Sequence, residues 1–245
     1  MFDAAPLYAQ RKMRVLIGCE CSGVVRRAFA ALGHDVTSCD LKPAEDGSNH
    51  HIICDVRDLL HKGWDLLAVM HPPCTRLCNS GVRWLSKPPG KLPLHYAEAI
   101  RLRYAQWDEE RRLQMMWDDL RDGTALFSDC WNAPIERVAV ENPVMHKHAK
   151  KLIRGFERHA QSVQPWQFGT EKDGPDNVKK RTCLWLRGLP VLTPTGTLDG
   201  TTARDEIHSA SPGKNRAAYR ARFFPGLAAA MAEQWGGYAV EAMAA

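Results

Sequence analysis

Apolar and polar positions along this chain fall into blocks that predict strands and helices in alternation. Arg14-Val15-Leu16-Ile17-Gly18 is a short, β-branched and apolar run that reads as a first strand. Cys19-Glu20-Cys21-Ser22-Gly23 forms a turn. Val24, Val25, Ala28, Phe29 and Leu32 then recur at helical spacing until Gly33 closes the helix. Strands are predicted at 35–39, ending in Asp40, and at 51–54, ending in Asp55. The fourth, Asp65-Leu66-Leu67-Ala68-Val69, is apolar enough to be buried on both faces. Residues 95–131 carry a helical pattern with a break near Asp108 or Gly123. A fifth strand over 136–140 ends in Glu141-Asn142-Pro143, a basic amphipathic helix covers 147–159, and a late strand covers 181–186. Residues 189–211 are rich in Thr, Pro and Gly and should be irregular, and a closing helix follows at 224–235. The order predicts an α/β fold of Rossmann-like type, with a mostly parallel sheet and helices on both faces.

Composition narrows this only in part. With 245 residues and 44% hydrophobic content, one large domain is expected, preceded by a flexible leader at 1–12. The formal charge of +5, from 33 basic and 28 acidic residues, is compatible with an anionic partner without selecting one. No apolar run reaches membrane-spanning length and the first residues lack a signal-peptide centre, so a cytoplasmic protein with reduced thiols is expected. The eight cysteines, at 19, 21, 39, 54, 74, 78, 130 and 183, lack the paired short spacing of structural zinc, and no metal is expected. Most read as small core residues.

The chemistry concentrates in Met70-His71-Pro72-Pro73-Cys74-Thr75-Arg76-Leu77-Cys78-Asn79-Ser80-Gly81. Two prolines end the fourth strand and set Cys74 at its carboxyl edge, where open α/β sheets bind ligands. Cys74 is the first candidate nucleophile. Glu141-Asn142-Pro143 ends the next strand, so Cys74 and Glu141 could meet at one sheet edge. The basic, breaker-rich segment 83–91 should be mobile and solvent-facing, and opens a basic loop and helix insertion over 83–112.

In this order, Gly18 to Gly23, Asp40, Asp55, Pro72-Pro73-Cys74, Glu141-Asn142-Pro143, the basic cluster Lys179-Lys180-Arg181 and Pro225-Gly226-Leu227-Ala228 resemble the DNA cytosine-5 methyltransferases. The similarity is greatest to the short, phage- and prophage-type members and runs from about Arg14 to Trp235. It implies S-adenosylmethionine as cofactor, with Gly18, Cys19, Glu20, Ser22, Gly23 and Pro72 lining its site. Asp40 would then accept from the ribose hydroxyls and Asp55 would contact the adenine amino group. It further implies that Cys74 attacks carbon 6 of cytosine, helped by positive charge from Arg76 or Arg83. Glu141 would hydrogen-bond ring nitrogen 3 and the exocyclic amine, and Arg181 would orient Glu141 and contact the base carbonyl. Lys179 stands where the family's motif has its first arginine and Asn177 where it has glutamine.

Arg76, Asn79, Ser80, Arg83, Trp84, Asn142 and Lys179 are the expected substrate contacts. Arg76 and Arg83 would hold DNA phosphates together with Lys87, Lys91, Arg101 and Arg103, and Trp84 would wedge into the base stack. Only 187–214 occupies the interval where the family carries a large target-recognition domain. That leaves open a free pyrimidine nucleotide, single-stranded DNA or RNA as substrate, transfer of a modified alkyl group, or a catalytically silent nucleic-acid-binding module.

Overall fold

The computed structural model describes residues 12–206 and 223–244. Its strands are β1 (Arg14–Gly18), β2 (Asp35–Asp40), β3 (His51–Ile53), β4 (Leu66–Val69), β5 (Arg137–Asn142), β6 (Gln161–Val163) and β7 (Thr182–Arg187). They form one seven-stranded sheet in the order β3-β2-β1-β4-β5-β7-β6. The first five strands are mutually parallel, whereas β7 runs antiparallel to both its neighbours. The fold is therefore α/β with a mixed, mostly parallel sheet, compatible with a Rossmann-like arrangement.

The pleat divides the core into two layers. Val15, Ile17, Leu66 and Ala68 face helices α1 (Val24–Ala31) and α5 (Pro225–Ala244), where Phe29, Leu227, Met231 and Trp235 are buried. Leu16, Leu67, Val69, Val138 and Val140 face the other way, against Met116, Leu120 and Phe127 of helix α3 (Glu109–Trp131). Leu66 to Val69 are all fully buried, which is why β4 reads as an unbroken apolar run. No helix among the described residues is long and apolar enough to cross a membrane.

Several elements differ from the sequence expectation. β5 extends through Glu141 and Asn142, because the antiparallel β7 pairs with both. The basic helix α4 spans only Lys147–Leu152, and β6, hidden in polar residues, follows it. The helical stretch breaks at Asp108, which separates α2 (Glu98–Gln106) from α3 and caps α3 by accepting from Arg111 N. Segment 83–91 is packed rather than loose: Leu85 is buried in the α3 layer and Trp84 packs against it. Of the leader only Lys12 is described, and the end of the irregular stretch at 207–211 lies outside the described residues.

Helix α3 passes straight through Gly123 because the missing side chain admits the loop after β4. A Cβ there would sit 2.6 Å from Leu77 Cδ1 and 3.4 Å from the Pro73 carbonyl oxygen. In an exposed helix Gly→Ala stabilises by roughly 0.5–1 kcal/mol. Here overpacking of about 1–3 kcal/mol opposes that gain, so Gly123→Ala should lower stability in urea denaturation. An increase would contradict the close approach.

Candidate active site

The chain runs β1, β2, β3 to one side and then returns to place β4 on the other side of β1, so the carboxyl ends of β1 and β4 lie at the reversal of strand order, where open α/β sheets bind ligands. Gly18 pairs with Val69, and Met70 N donates to the Gly18 carbonyl at 3.0 Å. The Gly18–Gly23 turn and the Cys74 segment therefore leave adjacent strands at the same edge.

The turn is held from within. Cys19 adopts φ 55° and Gly23 φ 69°. The buried Glu20 carboxylate accepts from Ser22 Oγ at 2.8 Å and from Val25 N at 2.9 Å, fixing the start of α1. Asp46 bridges Arg26 and Arg27 beside Gly23, and Glu45 N donates to the Cys21 carbonyl, so the loop after β2 is pinned to this turn.

Tested against S-adenosylmethionine, these residues fit in part. Asp40 uses Oδ1 to accept from Lys42 N at 3.0 Å, and its Oδ2 accepts no hydrogen bond among the described residues, which suits a ribose diol. Leu41 beside it is 75% exposed and offers an apolar flank that sequence patterning did not single out. Asp55 is different. Its Oδ1 accepts from Arg57 N and Nε and its Oδ2 from the guanidinium, so it caps a short 3-10 helix rather than presenting itself to an adenine amine. The Arg57 hydrogen bonds hold its carboxyl below the usual range. Glu20 is likewise turned into α1 and offers no carboxylate to a ligand.

The Cys74 loop begins with a helical turn, in which the Cys74 carbonyl accepts from Leu77 N at 3.0 Å and Cys78 N at 3.1 Å. A Cβ on Gly81 would collide with the Thr75 carbonyl oxygen, so the loop closes only with glycine there. It is stitched to the segment after β5: His146 N donates to Leu77 O at 3.0 Å, and Asn79 N to Val144 O at 3.3 Å. His146 also contacts Arg76 O through Nε2 at 2.5 Å and accepts from Ala149 N at Nδ1 at 3.2 Å, which fixes the neutral Nε2–H tautomer.

Arg76 departs from its expected role. It is 4% exposed, and its guanidinium donates to Asp119 at 3.3 Å and to Tyr96 Oη at 3.2 Å, while the tyrosine hydroxyl donates to Asp119 at 2.6 Å. It anchors the loop to α3 and is not presented to phosphates. Trp84 packs into the α3 layer with the Arg83 guanidinium 4.3 Å over its ring, which does not project as a wedge. Asn79, Ser80, Arg83, Lys87, Lys91 and Lys179 are exposed and Arg101 is half-buried.

Glu141 is 5% exposed at the end of β5, on the face of Ala139 and of the α5 layer. Thr182 and Leu184 share the face of Glu141, whereas Cys183 and Trp185 face α3. Arg181 lies exposed just before β7, and Cys183 is acted on electrostatically by both Glu141 and Arg181. Lys180 places Nζ 5.5 Å over the Phe224 ring.

Sequence reasoning also passed over His71. Its Nδ1 lies 3.7 Å from Glu141 Oε2, its ring meets Phe223 edge-on at 5.6 Å, and its buried Nε2 has no hydrogen-bond partner. The side-chain amide of Asn142, fully buried next to Glu141, has both polar atoms unpaired as well. Such orphaned buried atoms mark a place for water or ligand.

Burial pushes up the thiols of Cys19, Cys39, Cys54 and Cys183, that of Cys21 to about 11 and that of Cys130 to about 12, so these stay protonated and unreactive. Among the described residues no cluster of three or more His, Cys, Asp or Glu could hold a metal ion. Compared with family models and with curated proteins, the chain matches none.

Burial lowers the pKa of His146. Its unfolded counterpart, near 6.5, takes up a proton first as pH falls, so native stability should decline below about pH 6.5. His34, His95 and His159 are lowered by burial too and add to the decline. His146→Gln should flatten part of that pH dependence of the urea midpoint. An unaltered pH dependence would contradict a neutral, engaged His146.

Proposed function

We propose that this chain transfers a methyl group from S-adenosylmethionine to carbon 5 of cytosine in DNA through a covalent adduct on Cys74. One observation carries the reading: the Cys74 loop is hydrogen-bonded to the segment that follows Glu141, at the strand-order reversal and beside the Gly18–Gly23 turn. An inert buried thiol needs no such fixed relation to a neighbouring carboxyl.

Bound S-adenosylmethionine supplies an electrophilic methyl group. Asp40 would hold the ribose hydroxyls, Leu41 would flank the base, and the Cys19–Gly23 turn would line the amino-acid end. Cys74 adds to carbon 6 of the target ring, which makes carbon 5 nucleophilic. Glu141, in its buried strand-end site, donates a proton to ring nitrogen 3 and stabilises the charge that develops. The prolines before Cys74 fix the approach of the thiol to the ring.

The substrate's form follows from the outer surface. Segment 187–205 turns inward at Leu192 and Ala203, and Arg76 and Trp84 are engaged inside the protein. Among the described residues, Arg76 and Trp84 are thus removed from the expected DNA contacts, and this supports single-stranded DNA or a short site over extended major-groove recognition.

The test is incubation with labelled S-adenosylmethionine and a panel of duplex DNA, single-stranded DNA, RNA and free nucleotides. Label should reach carbon 5 of cytosine in DNA. Cys74→Ala should reduce transfer to background, and Glu141→Gln should lower it by roughly 10²- to 10⁴-fold. Transfer that survives loss of Cys74 overturns the covalent route. Absence of transfer to every substrate, with salt-sensitive DNA binding, leaves a binding module.

A further inference from the structure

One step of the proposed methyl transfer still lacks a group to perform it. Once carbon 5 carries the methyl group it still bears its hydrogen, and Cys74 cannot leave until a base removes that proton. We infer that His71 is this base, a role that rests on the methyltransferase reading and adds a catalytic residue to it.

Three observations point to it. His71 lies three residues before Cys74, where β4 ends, so it leaves the sheet at the same edge as the nucleophile. Its Nδ1 faces Glu141 Oε2 at 3.7 Å, which favours the tautomer with hydrogen on Nδ1 and leaves a lone pair on Nε2. That Nε2 is buried without a hydrogen-bond partner, so its basicity is not used by the fold. A carboxylate that orients an imidazole whose other nitrogen faces the reaction is the general arrangement of an activated base.

Neighbouring histidines are occupied. His146 contacts the Arg76 carbonyl with one nitrogen and accepts from Ala149 N with the other, and the His148 ring sits edge-on against Trp117 at 5.4 Å. Glu141 itself serves ring nitrogen 3.

After addition of Cys74, Glu141 has passed its proton to ring nitrogen 3 and is a carboxylate. The bond from carbon 5 to hydrogen breaks, the proton goes to His71 Nε2, and the electron pair forms the double bond between carbons 5 and 6. The bond from carbon 6 to sulfur breaks and its pair returns to Cys74 as thiolate. Ring nitrogen 3 returns its proton to Glu141, and His71 leaves the cycle protonated until it exchanges with water. One methyl cation enters and one proton leaves.

The experiment uses the full chain with DNA carrying tritium at carbon 5 of cytosine, following two readouts in the same samples: methyl incorporation and tritium release. Wild type releases one tritium for each methyl incorporated and shows little protein–DNA complex resistant to denaturing gel electrophoresis. In His71→Gln and His71→Asn, tritium release should fall by about 100-fold. Methyl incorporation should then stop near one per protein, and the resistant complex should rise towards one per protein, lost again when Cys74→Ala is added. Equal rates of release and incorporation without the complex, in either variant, overturn the assignment to His71 and leave the methyltransferase reading standing. So does loss of folding in both variants, since it makes His71 a structural residue. Absence of methyl incorporation by wild type overturns the reading beneath it.

Discussion

The structure depends on the junction between the loop after β4 and the segment after β5. Two parallel strands need not agree on what their following loops do, because each loop leaves the sheet independently. Here His146 imposes agreement. Its backbone amide and both ring nitrogens are engaged, one of them with the carbonyl of Arg76, and Arg76 is tied in turn to Asp119 and Tyr96. A buried guanidinium with one carboxylate partner is weak evidence for stability, but removal of either partner is costly, so the network fixes a position more than it adds strength. What it positions is Cys74 relative to Glu141.

The same junction explains why α3 tolerates glycine in its middle and why the loop demands glycine at position 81. Both positions admit backbone or side chain from this loop at distances that a Cβ would forbid. Local helix propensity is given up at Gly123 so that the Cys74 loop can lie against α3. Cys74, Glu141, His71 and Asn142 lie at the strand ends that these contacts position.

Much of the fold was legible in the sequence because buried parallel strands are continuous apolar runs and each is followed by a polar or glycine-bearing turn. β1 and β4 follow directly from that rule. β6 was not legible, because Gln161-Ser162-Val163 is three residues long with one buried side chain and has no periodicity to read. The contraction of the basic helix to Lys147–Leu152 was hidden for a related reason, since a charged amphipathic pattern persists beyond the point where the chain turns at Gly155.

At the site, residue type was legible and orientation was not. Cys74 and Glu141 announce themselves by the prolines around them, but that Glu141 lies opposite Leu184 of β7 depends on a register that no local pattern encodes. Likewise Asp55 reads as a strand-end acid until Arg57 is seen to occupy both its oxygens. The most direct test of the central claim uses an oligonucleotide in which 5-fluorocytosine replaces the target base. Fluorine cannot leave carbon 5 as a proton does, so the adduct should persist after methyl transfer. Mass spectrometry of the digested complex should find the methylated fluorocytosine on the peptide that contains Cys74. An adduct on another cysteine, or none in the presence of S-adenosylmethionine, would contradict the account.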